Sequence, residues 1–329
     1  MGVLRTDQFH QLSTAFYARV ARDPVLRPLF PGKTQHCAIE ELTAFLVQFF
    51  DGPPEDTQRR WWVSLRESHL RFEIGAEQRD AWMANMRQAL REAPIEEPER
   101  SALGTLFEHS SAYVVNTGQT PAPADFPLDP DIAQRWNHQL TLDQTVAAIR
   151  SGQTGQAEKF RHNRAVFAFL LALMIDSRER ALHAYVTEKI AADPALAHTR
   201  YNGRTLLHQA AGAGNAAIAK VLLDAGADAA VKTDLGHTPL YCLANEYKSD
   251  GAELVRILIR AGAKVDAADG VKRCTALHMA ARRGNVAIAQ ALLNHGANAE
   301  ARDSQGVTPL GRAVNCKKPA VAALLRQKR

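Results

Sequence analysis

Thr205-Leu206-Leu207-His208, Thr238-Pro239-Leu240-Tyr241, Thr275-Ala276-Leu277-His278 and Thr308-Pro309-Leu310-Gly311 are four variants of one tetrad, spaced 33, 37 and 33 residues apart. A second phrase returns between them: Leu222-Leu223-x-x-Gly226-Ala227-Asp228, Leu258-Ile259-x-x-Gly262-Ala263 and Leu292-Leu293-x-x-Gly296-Ala297-Asn298. A fixed period of this length means stacked units, each burying its apolar face only against its neighbours. Such arrays make binding surfaces and rarely catalyse, so the chemistry of the chain belongs to its first third.

These tetrads resemble ankyrin repeats. The resemblance covers residues 201–329 and divides them near 203–235, 236–271, 272–305 and 306–329. The wider spacing falls at Tyr247-Lys248-Ser249-Asp250-Gly251, where it lengthens the joint between the two helices of one repeat. Val186 and Ile190, followed by Asp193-Pro194, read as a degenerate first repeat or a capping helical pair within a helical connector, 131–200. An array needs such a cap, because an end repeat otherwise exposes the face that its neighbours bury. A protein partner is implied, with contacts expected at the loops 232–237, 269–273 and 303–307 and on the inner helices. In this setting Cys274-x-x-x-His278 is read as a repeat histidine bonding loop backbone, as at His208, rather than as zinc ligation.

At 329 residues, 46% hydrophobic and 23% charged, the chain is an ordinary globular protein with room for two or three domains. Four scattered cysteines without paired spacing, and no signal-peptide pattern, lead to the expectation of a reducing, cytoplasmic setting. The longest apolar run, Val166 to Ile175, is ten residues; it is too short to cross a bilayer and reads as one buried helix. Residues 1–118 carry 13 Lys+Arg against 16 Asp+Glu, and the remainder 27 against 19, which makes −3 and +8 of the net +5. The basic residues are dispersed apart from Lys317-Lys318 and the final Arg326 to Arg329, so they read as a solvated surface and not as a nucleic-acid stripe.

In residues 1–118, apolar residues recur at helical spacing: Phe9, Leu12, Phe16 and Val20; then Ile39, Leu42, Phe45, Leu46 and Phe49; then Trp82, Met86 and Leu90; then Leu103, Leu106, Phe107 and Val114. Asp23-Pro24 and Asp51-Gly52-Pro53-Pro54 are stops between them. With no period-two alternation, this domain is expected to be all-α. Four prolines and a glycine between Thr117 and Pro130 mark a linker, 119–130.

From residue types alone the domain yields a modest signal. A lone histidine such as His69 is more often a satisfied or exposed side chain than a ligand, and Tyr17 and Trp82 read as core residues with polar tips. There is no His-x-x-x-His or Glu-x-x-His pair, no Cys-x-x-Cys-His for covalent haem, and no Gly-x-Gly-x-x-Gly for a nucleotide cofactor.

The order of the motifs adds more. Phe16-Tyr17-x-x-Val20-x-x-Asp23-Pro24, Leu29-Phe30-Pro31, Phe45-Leu46-x-Gln48-Phe49-Phe50-x-Gly52-Pro53, Leu65-Arg66-x-x-His69-x-x-Phe72-x-Ile74 and Arg79-Asp80-Ala81-Trp82-Met83, closing with Val115-Asn116, resemble a truncated haemoglobin of group II. That resemblance implies a 2-on-2 helical globin over 1–118 holding haem b. It makes His69 the proximal iron ligand, Tyr17 and Trp82 the distal donors, and Ala38 a small distal residue that leaves a ligand a way in. Phe30, Phe72 and Leu42 pack on the haem, Phe30 standing where relatives often carry tyrosine. Trp61-Trp62-Val63 replaces the family's frequent Gly-His-Pro and implies a heavier cover over the haem edge. Cys37, just before Ala38, is expected to be a buried neutral thiol.

The implied function is binding of dioxygen or another diatomic ligand, for storage or sensing, by a protein tethered to partners through its repeats. Tyr O–H and Trp N–H suit it, since both can donate to a ligand that takes up electron density in a dry pocket. The alternative is a haem enzyme, a nitric oxide dioxygenase or peroxidase, which would draw electrons from an external reductase.

Overall fold

The structure, a computed structural model, describes residues 5–30, 35–50, 64–118, 127–247 and 251–327. The expected stop at 51–54, the Trp61-Trp62-Val63 stretch, most of the expected linker and the inserted residues 248–250 lie outside the described residues. The fold is all-α, about 65% helical. Among the described residues, strand occurs only as a hairpin of two-residue strands, β1 (Arg200–Tyr201) and β2 (Arg204–Thr205). The chain divides into two compact units, Met1–Thr145 and Val146–Arg329.

The first unit contains α1 (Thr6–Val20), α2 (His36–Phe49), α3 (Leu65–His69), α4 (Ala76–Glu92), α5 (Glu99–Tyr113) and most of α6 (Pro130–Arg150). The expected stripes become its core: Phe9, Leu12, Phe16 and Val20 of α1 meet Leu46 of α2, Met86 and Leu90 of α4, and Leu103, Leu106 and Phe107 of α5. α1 packs on both α2 and α4, and α4 on α5. Asp23 ends the first run by a physical device visible in its side chain, whose Oδ1 accepts the amides of Val25 and Leu26 at 2.9 Å. Residues 131–145 of the expected connector lie with this unit. Ile132 and Trp136 bury in its core, and Trp136 meets the Tyr113 ring edge-on at 5.5 Å.

The second unit opens its array with α7 (Arg164–Asp176) and α8 (Arg180–Ala192). In α7 every residue from Val166 to Ile175 is buried except half-buried Phe169, so the apolar run is one core helix. Four further helix pairs follow: α9 (Leu206–Gly212) with α10 (Ala216–Asp224), α11 (Pro239–Glu246) with α12 (Ala252–Arg260), α13 (Ala276–Arg283) with α14 (Val286–Asn294), and α15 (Pro309–Asn315) with α16 (Pro319–Gln327). The odd-numbered helices pack in one file and the even-numbered in another, so α7 and α8 continue the stack at its N-terminal end.

The tetrad threonines cap the inner helices. Oγ1 of Thr238 accepts from the Tyr241 amide, and that of Thr308 from the Gly311 amide. Where the tetrad ends in histidine, the ring links two repeats. His208 Nδ1 accepts from the Thr205 amide at 3.2 Å and Nε2 donates to the His237 carbonyl at 3.0 Å; His278 repeats this with Thr275 and Val307. Both ring nitrogens of His278 are therefore committed to backbone, the Thr275 amide and the Val307 carbonyl. Gly236 (φ +78) is needed where neighbouring loops touch, because a Cβ there would fall 2.3 Å from the Gly270 nitrogen.

These histidines make the array acid-sensitive. Burial lowers His208 from 6.5 to about 4 and moves His278 in the same direction. Folding selects the neutral ring, so its contribution is whole above pH 6.5 and is lost as pH falls toward 4. For His208 that loss is on the order of 3 kcal/mol. Thermal melts of the full chain should show the array transition falling between pH 6.5 and 4. The same fall should be flatter in a His208→Gln/His278→Gln variant, and equal slopes for the two proteins would contradict the assignment.

Candidate functional site

The seven residues singled out by sequence meet around one cavity of about 800 Å³. Tyr17 reaches it from α1, Phe30 from the end of a 3-10 turn (Arg27–Leu29), Ala38 and Leu42 from α2, His69 as the last residue of α3, Phe72 just beyond, and Trp82 from α4. None of the seven lies elsewhere.

α3 is five residues long and cannot hold itself by its own hydrogen bonds. Ser64 caps it, accepting from the Glu67 amide at 3.0 Å, and the Asp143 carboxylate of α6 accepts the amides of Leu65 and Arg66, also at 3.0 Å. Past its end, Asn116 clamps the chain on three sides. Its side-chain nitrogen donates to the carbonyls of Phe72 (2.8 Å) and His69 (3.3 Å), and its oxygen accepts from the Ile74 amide (2.9 Å).

His69 is thus fixed in orientation and tautomer. Nδ1 lies 2.7 Å from the Leu65 carbonyl and 2.9 Å from Ser68 Oγ. A carbonyl only accepts, so Nδ1 carries the proton and Nε2 keeps a lone pair. Burial draws the ring below its ordinary pKa, outweighing the Leu65 carbonyl that favours the cation. A neutral imidazole with one nitrogen held and the other carrying a lone pair is the form that ligates a metal.

On the α1 side the wall is aromatic. Phe16 lies edge-on to Tyr17 at 5.0 Å and tilted to Trp82 at 5.0 Å; Tyr17 meets Phe30 at 5.4 Å, Phe30 meets Phe72 at 5.8 Å, and Trp82 meets Phe107 at 5.5 Å. Burial, aided by the Glu41 carboxylate, pushes the Tyr17 phenol up, so it keeps its proton at every physiological pH and remains a donor. Within this apolar wall the polar tips of Tyr17 and Trp82 are the donor chemistry.

Polar residues that the sequence did not single out complete the lining. Arg71 lies over the Phe72 ring at 4.7 Å and pairs with Glu41 at 3.8 Å. Gln35 Nε2 and Arg79 Nε are buried without a hydrogen-bond partner among the described residues, and both residues line the cavity. A buried orphan donor is costly, and a polar ligand group would relieve it. Cys37 corrects an expectation: it is exposed, not buried, since it occupies the first turn of α2 at the cavity rim.

In the array, Asp269 and Asp303 shape two of the three loops expected to meet a partner. Asp269 accepts the amides of Val271 and Cys274 at 2.8 and 3.0 Å, and Asp303 those of Gln305 and Val307 at 2.9 and 3.0 Å. The Gly270 amide joins the Leu235 carbonyl at 3.1 Å, and the Ser304 amide the Lys272 carbonyl at 2.8 Å, so the loops form a continuous row. Leu235 and Val271 stand 58% and 65% exposed on it. Among the described residues no group of three or more His, Cys, Asp and Glu is arranged for a metal, and no helix is long and apolar enough to cross a membrane.

Comparison with known proteins agrees in both units. The family described as bacterial-like globin matches residues 3–116, and that described as ankyrin repeats (3 copies) matches 169–269 and 243–329. The chain is 36% identical over 106 residues to Group 2 truncated hemoglobin YjbI of Bacillus subtilis (strain 168), a stretch that is 32% of this chain and 80% of that protein. It is 32% identical over 110 residues to Group 2 truncated hemoglobin 3-1 of Lotus japonicus, covering 32% of this chain and 66% of that protein. The repeat region is 34% identical over 134 residues to Inversin of Gallus gallus, covering 39% of this chain and only 12% of Inversin.

Proposed function

Because the chain belongs to the group 2 truncated haemoglobins through residues 3–116 and carries ankyrin repeats behind them, we propose that its first unit holds one non-covalent haem b and reversibly binds dioxygen, while the array engages a protein partner. Diatomic-ligand binding by haem follows from the family, and protein interaction from the repeats. Dioxygen as the ligand, the b-type haem and the residue roles are our reading. The observation that carries it is the convergence of all seven residues on one cavity with the His69 ring already fixed for ligation.

The residues fit the group. A cavity of about 800 Å³ lies within the roughly 300–1,000 Å³ of typical cofactor and ligand pockets. Haem supplies an iron able to bind a diatomic molecule, and axial ligand and pocket polarity tune it. His69 Nε2 would hold the metal, with Leu65 and Ser68 setting the ring. Phe30, Leu42 and Phe72 would cover the flat apolar faces, and Arg71 with Gln35 would meet the acidic edge, taking up the Gln35 donor that is now orphaned. Tyr17 and Trp82 would donate to the bound ligand, and Ala38 would leave it room to enter. Phe30 offers no hydroxyl, so Tyr17 stands without a phenolic neighbour across the 5.4 Å ring contact. Free cysteines throughout suit a reducing compartment, and we place the protein in the cytoplasm.

Oxygen equilibrium of the ferrous protein tests this function. We expect a reversible, saturable uptake of one dioxygen per chain. Turnover that needs an added reductase and nitric oxide, with no stable oxygen complex, would overturn the binding role in favour of an enzyme.

A further inference from the structure

The carboxylate of Asp143 is 4% exposed and lies on α6, beyond the residues 3–116 that the globin family matches. A buried carboxylate needs several donors, and this one has them. Oδ1 receives the Leu65 amide and Oδ2 the Arg66 amide, each at 3.0 Å, and Gln139 Nε2 donates to Oδ1 at 2.9 Å. Ser64 and Tyr113 add their side-chain hydroxyls. Arg66 in turn lies over the Tyr113 ring, 5.6 Å from its centre.

One of these bonds reaches His69 through a single residue. Leu65 gives its N–H to Asp143 and its carbonyl, at 2.7 Å, to His69 Nδ1. The peptide groups of Leu65 therefore stand between the α6 carboxylate and the imidazole. α3 has only five residues, so a shift at its first amide is not absorbed before its last residue. All the groups involved lie within the first compact unit, Met1–Thr145, while α6 itself runs on to Arg150.

We infer that Asp143 is a positioning residue for His69, holding the Leu65 carbonyl in the place where it fixes the imidazole ring, so that the working globin of this chain extends past residue 116 to take in α6. The inference rests on the haem reading above. Partners of a ligating histidine set its basicity and its direction, and losing one typically costs about 10–100-fold in metal affinity.

The test uses the full chain loaded with hemin, comparing wild type, Asp143→Ala and Asp143→Asn. The asparagine variant keeps the volume and one acceptor and guards against a variant that fails to fold, which circular dichroism would reveal. Haem transfer to excess apomyoglobin should accelerate about tenfold or more in Asp143→Ala and less in Asp143→Asn. In the ferrous protein the iron–histidine stretching band in resonance Raman spectra should shift or broaden in both variants. A merely structural role would leave that band in place. An unchanged band with transfer within about twofold of wild type in both variants would overturn the inference and leave the haem reading standing. Wild type without a histidine-ligated haem would overturn both.

Discussion

His69→Ala should abolish stable haem retention. His69 is the residue at the cavity that combines a nitrogen lone pair with a ring already oriented by Leu65 and Ser68. The backbone bonds that hold α3 involve Ser64, Leu65, Arg66 and Asn116 rather than the imidazole, so the helix should survive the change. The loss should exceed the roughly 10–100-fold that follows from removing a ligand's own partner. Added imidazole, diffusing into the space left by the ring, should restore part of the binding. Absorption spectroscopy after gel filtration measures the outcome. A variant that keeps the wild-type Soret band and a five-coordinate ferrous spectrum would show that another residue ligates the iron.

Tyr17→Phe and Trp82→Phe should each speed dioxygen release. Tyr17 keeps its proton because burial opposes ionisation, and its ring is held by Phe16 and Phe30, so the variant loses the hydroxyl and little packing. Trp82 is held between Phe16 and Phe107 and loses more volume on substitution. A hydrogen bond to a partly charged acceptor is worth about 1.5 kcal/mol or more, and each ~1.4 kcal/mol is a factor of ten. Each substitution should therefore raise the dissociation rate by about tenfold. The double variant should fall short of the product if the two donors share one acceptor. Stopped-flow displacement of oxygen by carbon monoxide reads the rates, and a double variant releasing oxygen at the wild-type rate would remove both residues from the distal role.

Much of this architecture is legible in the sequence because it rests on periodic or local features. The 33-residue spacing of the tetrads locates the helix pairs, and Thr238 and Thr308 cap them through contacts only three residues long. The ordered motifs from Phe16 to Met83 contain five of the seven residues that the fold gathers at one cavity, and the resemblance they carry adds Ala38 and Leu42. What stays hidden depends on contacts distant in sequence. Asp143 meets Leu65 across 78 positions, from a helix that the linker prolines separate from the globin motifs, and nothing near either residue announces the pairing. The same distance conceals that Ile132 and Trp136 belong to the first core. Asn116 stands among the quoted motifs, yet its grip on His69 and Phe72 emerges only when α5 returns beside α3. Arg71 and Gln35 carried no motif at all. Cys37 stands exposed because a helix turns successive side chains to different faces, so its place beside Ala38 does not carry it inward.

Absorption spectra of the full-length protein titrated with hemin test the central claim most directly, recorded in the ferric, dithionite-reduced and carbon monoxide forms. The account predicts an endpoint at one haem per chain, a five-coordinate histidine-ligated ferrous spectrum and a sharp, shifted Soret band with carbon monoxide. A titration without an endpoint, or a haem whose spectrum does not respond to carbon monoxide, would contradict it.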